Sequence, residues 1–424
     1  MRHHRASRGA ELFDQYQRIQ AFKENPNSVI DGVNYAKVVA EYLYDRSVSQ
    51  WLKIVAFSFF FTARTDASDA GRGLLNFYSH RNKGRRDYDF IADRLVEIAG
   101  TEGDRAETAE KFSVTQWWFT LASALRAWRA TVGYEAPLAH RLCTTVLIAK
   151  YASAADRFFR SLVSGRTRVV TFCDAAPHDN LIAQLAGLSG ALTVTLQHGQ
   201  YRLLDARNMS SDAEAYANFV SDRMLCWGEA TRREFERFGI SRDRMVVTGW
   251  IRNWDQISQS DTSNGTFGVM LNGGSGAGSN INLLRAANQL SEDLGLRFVV
   301  RLHPQDTAAQ YRTLVNASCV SIGVMPADQY LAVVDFSVAH MSGAAIEMLE
   351  CNSPVYILDD GHLADVFRLP GLSFNGVEEL LAAIQGDRLA CDHGRHRTEQ
   401  LKRWFNDDRD QSARITAVLL SDEV

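Results

Sequence analysis

Apolar positions follow two different rhythms along this chain. Up to about Leu162 the usual interval is three or four residues. Leu147, Tyr151, Ala154, Phe158 and Leu162 fall on one face of a helix. Residues 54–61 and 74–78 interrupt this rhythm as unbroken aromatic and branched runs, which predict strands. Polar loops follow them at 62–72 and 79–87. From residue 168 onward, short apolar runs alternate with helical spacing. Strands are predicted at 168–173, 192–196, 223–227 and 245–248, with helices at 177–188, opened by Pro177, and from 228 through Glu236.

Residues 256–266 then carry serine, aspartate, asparagine and glycine with little apolar content and read as a linker. Beyond them the alternation restarts. Strands are expected at 267–271, 298–302, 320–323, 336–339 and 355–358, and helices at 279–294, 304–315, 326–333 and 343–350. Helical segments near 377–385 and 396–409 follow. This pattern predicts an α/β chain of two Rossmann-like, doubly wound domains facing across a cleft, with a helix-rich N-terminal region. The expected division is 1–255, linker 256–266, and 267–400, with 401–424 a helix packing back on the N-terminal domain.

Composition narrows the function classes. A length of 424 residues accommodates two cores. Forty-six basic against fifty acidic residues give a net charge of −4, which offers no broad electrostatic case for nucleic acid. A local basic cluster at Arg81, Lys83, Arg85 and Arg86 reads equally as a solvated loop or a phosphate site. The six cysteines form no CxxC pair, so no zinc site is expected, and their apolar surroundings suit reduced thiols in a cytoplasmic protein. The first ten residues are polar and carry no apolar signal region, and 54–61 is too short to span a bilayer.

Candidate chemistry gathers at strand ends. The run His340-Met341-Ser342-Gly343-Ala344-Ala345-Ile346-Glu347 brings small residues to the start of a helix, where free N–H groups and the helix dipole favour an anion. Glu347 follows one turn later, placed to accept from ribose hydroxyls; the alternative is a plain N-cap and a first-turn carboxylate. Arg301 and His303 end another strand, suited to phosphate. Gly273, Gly274 and Ser275 belong to a glycine-rich turn that wraps phosphate in other proteins, without Walker or GxGxxG spacing. In the first half, His198 in Gln197-His198-Gly199 is a candidate general base, and Asp174 a competing base or orienting partner. Asp87-Tyr88-Asp89 looks like a metal-binding DxD, but an N-cap explains it more simply, and no metal is expected.

Together these residues resemble a known group. The run Asp222-Arg223-Met224-Leu225-Cys226-Trp227-Gly228-Glu229, with Phe238-Gly239-Ile240 and Val246-Val247-Thr248-Gly249, is similar to GT-B glycosyltransferases of bacterial surface-polysaccharide synthesis. Gln197-His198-Gly199 resembles their first-domain motif, and His303-Pro304 and Ser342 to Glu347 resemble their donor-site motifs. The likeness extends from about residue 168 to 358 and leaves out the N-terminal region, where acceptor recognition resides in such families.

The resemblance implies that His303, Ser342, Gly343 and Ala344 hold a donor pyrophosphate and Glu347 the ribose. It also implies that backbone from Gly323 through Met325 to Pro326 covers the base, and that His198 lies near the acceptor or the sugar. It implies no cofactor beyond the nucleotide-sugar substrate, a glycan or lipid-linked acceptor, and peripheral association with the inner face of the membrane. Rival readings are a sugar-nucleotide epimerase, a glycerophosphate or phosphosugar transferase, and a non-catalytic partner with the same shell. The epimerase pattern His-Val-Glu-Ala-Gly is absent at Gln197-His198-Gly199-Gln200.

Overall fold

The computed structural model describes every residue except 1, 45, 66–72, 80–85, 101–102, 198–203, 207–208, 252–263, 274–276, 305, 341, 390–398 and 421–424. Most of the expected linker therefore lies outside the described residues. A small antiparallel hairpin, β1 (Val29–Ile30) with β2 (Val33–Asn34), precedes the first large sheet. That sheet contains β3 (Phe61–Thr65), β4 (Gly73–Ser79), β5 (Gly103–Phe112), β6 (Arg166–Thr171), β7 (Leu192–Leu196), β8 (Arg223–Cys226) and β9 (Met245–Val247). Its order is β3-β5-β4-β6-β7-β8-β9, parallel throughout except for the antiparallel edge strand β3.

The second sheet contains β10 (Thr266–Met270), β11 (Arg297–Arg301), β12 (Cys319–Gly323), β13 (Ser337–Ala339), β14 (Val355–Leu358) and β15 (Ser373–Phe374). All six strands are parallel, in the order β12-β11-β10-β13-β14-β15. The chain moves outward from β10 to β12, then crosses back and moves outward again from β13. Connections on either side of this reversal leave in opposite directions, so a crevice opens at the carboxyl ends of β10 and β13.

Both faces of the second sheet are apolar, as a doubly wound sheet requires. On one face Phe267 stacks with Phe298 at 5.5 Å and with Phe336 at 5.4 Å, covered by Leu283, Leu284 and Leu290 of the helix Ala277–Leu294. Burial of each such ring stabilises by about 2 kcal/mol. On the other face Tyr330 lies directly against Gly268 and reaches Ser337 Oγ at 3.1 Å, an approach any Cβ at 268 would block.

Several elements differ from the sequence reading, among them residues 62–65, which lie in β3 rather than in a loop. Residues 54–61 are not a buried strand but mostly the helix Val48–Phe60. A continuous apolar run does not distinguish the two. The overlooked signal was the capping box, in which the Ser47 side chain accepts from Gln50 N and Gln50 Oε1 accepts from Ser47 N at 2.8 Å. Residues 304–315 form two short 3-10 turns, Ala308–Gln310 and Arg312–Leu314, rather than a helix. Tyr311 between them is buried, with its hydroxyl held by Asp306 and Asn280. The strand β5 was missed because its sequence is largely charged. Four of its five charges are matched by partners: Arg166 on Asp104, Asp93 and Glu107 on Arg105, and Lys150 on Glu110.

The N-terminal helix Arg2–Glu24 docks through a buried ion pair between Lys23 and Glu214, with Tyr44 donating to Glu214 Oε1 at 2.7 Å. At the other end of the chain, the helix Gln411–Leu420 crosses to the first sheet. There Ile415 and Leu419 share a core with Leu74, Leu95, Phe172 and Leu225.

The segment leading to that helix passes through the junction of the two sheets. Asp407 N donates to Trp227 O at 2.8 Å, Trp250 N donates to Asn406 Oδ1 at 2.6 Å, and Gln411 Nε2 reaches Thr248 O and Trp250 O. Room for it exists only because Gly228 has no side chain: a Cβ there would lie 2.7 Å from the Phe405 carbonyl oxygen and still closer to that of Trp404. We expect Gly228→Ala to destabilise the protein by about 1–3 kcal/mol and to expose residues 399–411 to proteolysis. Denaturant melts and limited digestion measure both, and wild-type behaviour in both would refute the wedge.

Candidate functional site

The crevice at β10 and β13 collects side chains from four strand ends. After β10 come Asn272 and Gly273, and after β11 comes His303. A Cβ on Gly273 would lie 3.0 Å from His303 Nδ1, so the glycine lets the ring lie flat on the turn. Asn272 is pinned from below: its N–H donates to Asn280 Oδ1 at 3.0 Å, and Asn280 Nδ2 donates back to Asn272 O at 2.7 Å. Asn280 also donates to the Tyr311 hydroxyl, which donates to Asp306. This buried chain fixes the entrance of the glycine-rich turn. Gly274 and Ser275, the rest of that turn's predicted site, lie outside the described residues.

Arg301, the last residue of β11, bridges two neighbours. Its Nη1 donates to Glu347 Oε2 at 2.8 Å and its Nε to Met325 O at 2.9 Å. Glu347 sits in the helix Gly343–Glu350 with only 3% of its side chain exposed. The pair thus ties the end of β11 to the β13 helix and to the segment after Gly323, whose own carbonyl accepts from Leu302 N at 2.9 Å. Arg301, Met325 and Glu347 were singled out separately in the sequence; the structure joins them in one contact.

The start of the β13 helix is bare of caps. Ser342 makes no side-chain capping bond. The first-turn N–H groups of a helix have no partner within the helix itself, and small residues at Gly343 and Ala344 leave them approachable. A stacked tryptophan pair, Trp227 and Trp250, with centroids 4.1 Å apart, flanks this point from the first domain; a Cβ on Gly343 would meet Trp250 at 3.5 Å.

One group at this edge escaped the sequence reading. His340 Nε2 lies 2.9 Å from Asp360 Oδ1, both side chains under 10% exposed. Burial works to raise the Asp360 carboxyl, but hydrogen bonds from His340 and Ser279 and the charges of His340 and His362 overcome it. They hold it well below the usual carboxylate range. A carboxylate partner favours a proton on Nε2, and in the neutral ring Nδ1, 3.4 Å from Asn272 Nδ2, is then the acceptor. The available signal was positional: Asp359 and Asp360 follow β14 directly, at the same edge as His340.

In the first domain His198 lies outside the described residues, but its neighbour Gln197 does not. Gln197 Oε1 accepts from Trp227 N at 2.7 Å and from the Thr231 hydroxyl at 2.8 Å, anchoring the end of β7 to that of β8. Asp174 is not presented to the cleft as a base would be. Its Oδ2 accepts from Val220 N and Ser221 N, at 2.8 and 2.7 Å, and its Oδ1 from the Ser221 hydroxyl at 2.8 Å. Burial raises its pKa against these bonds, and the carboxylate serves as a clamp on residues 220–221. Asp89 is likewise engaged, by the Tyr78 hydroxyl at 3.0 Å and by Arg105. In the basic cluster, only Arg86 is described.

No protein-family model matches the chain, and no curated protein matches it in sequence. Among solved structures it is similar to Anabaena HepE, solved in complex with UDP, at 12% identity and a TM-score of 0.50, over 82% of this chain and 99% of that one. It is also similar to the UDP-GlcNAc 2-epimerase of Neisseria meningitidis bound to UDP-GlcNAc, at 13% identity and a TM-score of 0.49, over 82% and 99% of the two chains. The match to S. aureus TarM has 12% identity and a TM-score of 0.47 over 64% of this chain, and spans 59% of TarM, under two thirds of its length. Likeness at these identities is one of fold, and the HepE match carries it: the chain has the GT-B fold, with two Rossmann-like domains across a cleft.

A buried acid near the carboxyl end of β6 offers a physical test of this half of the molecule. Asp179 Oδ1 accepts from Phe172 N and Cys173 N, at 2.8 and 3.2 Å, yet burial pushes the carboxyl up to about 7. The folded state therefore holds this proton more tightly than the unfolded state does. Stability from this group falls as pH rises from the ordinary carboxylate range through about 7. Asn at 179 retains the oxygen acceptor without the charge. Urea midpoints at about pH 5 and about pH 8 should diverge less in Asp179→Asn than in the parent; an unchanged difference would contradict the assignment.

Proposed function

We propose that the chain is a glycosyltransferase, moving a sugar from a nucleoside-diphosphate donor to a hydroxyl of a glycan or lipid-linked glycan acceptor. The reading places it in the cytoplasm, at the inner face of the membrane. The observation that supports it most is the convergence, at the β10–β13 crevice, of an uncapped helix start, His303 lying on Gly273, and the Arg301–Glu347 pair. An anion is favoured at the first feature, and a sugar hydroxyl at the last.

In this reading the pyrophosphate rests on Ser342, Gly343 and Ala344 with His303, and the turn from Gly273 through Gly274 and Ser275 wraps it. Glu347 accepts from the ribose hydroxyls, aimed by Arg301. The backbone from Gly323 to Met325, tied to Arg301, lies along the base. Charge on the leaving diphosphate is met by helix N–H groups and His303, so the proposal needs no metal. HepE, with the same fold, is solved with UDP, which makes uridine diphosphate the first nucleotide to try. His198 is assigned the acceptor side, taking the hydroxyl proton; as an in-line base it gives inversion at the anomeric carbon.

The donor half is tested by thermal shift with UDP, GDP, CDP and CMP. A nucleotide at about a hundredfold its Kd stabilises the native state by about 2.7 kcal/mol. We expect one of the four to raise the melting temperature, and Ser342→Ala with His303→Ala to weaken that response by about tenfold or more. If none of the nucleotides raises it, the donor site is wrongly assigned.

The acceptor half is tested by turnover. His198→Ala should lose about two orders of magnitude or more while keeping the nucleotide response. Wild-type turnover in that variant removes His198 as the base. Conversion of the donor to its epimeric sugar nucleotide in the absence of any acceptor would make the chain an epimerase instead.

A further inference from the structure

The first domain carries an apolar surface that the folded chain leaves uncovered. The helix Val48–Phe60 exposes Val48, Leu52 and Phe60, spaced four and eight residues apart on one side. Its neighbour, the helix Gln116–Ala130, exposes Trp117, Trp118, Leu121 and Leu125, with Trp118 and Leu125 more than 60% accessible. The two stripes are joined. Phe60 stacks on Phe112 at 6.2 Å, Ser113 N donates to Phe60 O at 2.8 Å, and the Thr120 hydroxyl donates to Ser58 O at 2.9 Å. Scattered exposed apolar residues need no explanation, but two adjoining helices with large side chains turned to water do.

The charge around this surface is one-sided. Residues 48–65 and 111–130 contain Lys53, Arg64, Lys111, Arg126 and Arg129 and not one Asp or Glu, in a chain whose net charge is −4. Arg126 is taken up by Asp31 and Asp156, while Lys53, Arg64, Lys111 and Arg129 are exposed. Exposed tryptophan and phenylalanine beside four exposed cations, uncompensated among the described residues, is the chemistry of a bilayer interface: the rings seat at headgroup depth and the cations meet anionic lipid. Among the described residues no helix is long and apolar enough to cross a membrane. Position agrees with contact from one side. Phe112 ends β5, so this surface begins at the carboxyl edge of the first sheet, the edge where doubly wound sheets open their crevice.

We propose that this face docks on an anionic phospholipid bilayer, with Trp117, Trp118, Leu121 and Leu125 inserted and Lys53, Arg64, Lys111 and Arg129 against the headgroups. Given the glycosyltransferase reading above, on which this orientation rests, the docked cleft then opens along the membrane surface, where a lipid-linked acceptor is presented. The surface stands apart from the donor site, so its failure leaves the nucleotide response untouched, and the reverse holds too.

The test is flotation of the full chain with phosphatidylglycerol-containing vesicles and with pure phosphatidylcholine vesicles. The parent should float with the anionic vesicles, more weakly at high salt, and its tryptophan emission should shift to the blue. Trp118→Glu with Leu125→Glu should reduce binding by about tenfold or more, as should Lys53→Glu with Lys111→Glu. Both pairs are on the surface, and an unchanged melting temperature shows that they fold. Three results would overturn the proposal: no flotation of the parent, wild-type flotation in both variants, or a parent dimer that Trp118→Glu dissociates, which would give the face to a second copy of the chain.

Discussion

Two backbones pass within contact distance at Gly228, and the relation between the two sheets depends on that passage. The strand β8 ends there, and residues 404–408, returning from the second domain, run directly against it. Gly249, with a φ of +81°, turns the chain beside Asp408 in a conformation that other residues adopt at a cost. The stacked pair Trp227 and Trp250 comes from these same two loops and abuts the start of the β13 helix. The geometry of the crevice therefore rests on a junction built mainly from backbone contacts and one tryptophan pair.

Inside the first domain, buried ion pairs work alongside an extensive apolar core, whereas both faces of the second sheet are covered by apolar side chains. Lys150 is fully enclosed and paired with Glu110, which also meets His178 Nε2 at 3.1 Å. Burial opposes ionisation of Glu110, but the His178 hydrogen bond and the Lys150 charge prevail and hold its carboxyl at about 2. The Lys23–Glu214 pair does the same work for the N-terminal helix. Such pairs add little net stability over apolar substitutes, but they tolerate only one arrangement of the elements that bring them together.

This difference explains how much of the molecule was legible in the sequence. The second sheet was readable because each strand is a short branched or aromatic run between helices. Five of its strands appear within a residue or two of the expected positions, and the sixth, Ser373–Phe374, was too short to leave a pattern. In the first domain, residues 74–78 appear as β4 and 147–162 as helix, as expected, and the regular alternation is readable from β6 onward. Its strand β5 draws stability from pairs distant in sequence, so no local period marks it, and Val48–Phe60 is apolar enough to mimic a strand. At the candidate site, strand ends pointed to Arg301, Ser342 and Glu347 as separate residues. That Arg301 holds Glu347 and Met325 together, or that His340 leans on Asp360, depends on which strands are neighbours, and the order of strands in a sheet is not written along the chain.

The helix Gln411–Leu420 completes the core of a domain whose other members lie hundreds of residues earlier. Leu74 and Leu95 find Ile415 and Leu419 only after the whole second domain has been made. During synthesis the first domain thus waits with an open groove on its sheet, while the second can close by itself. The order of emergence from the ribosome is the reverse of the order of completion. A chain built this way has its vulnerable interval before the last helix arrives, and a chaperone that shields the groove beside Leu74 and Phe172 would act on the domain synthesised first, yet finished last.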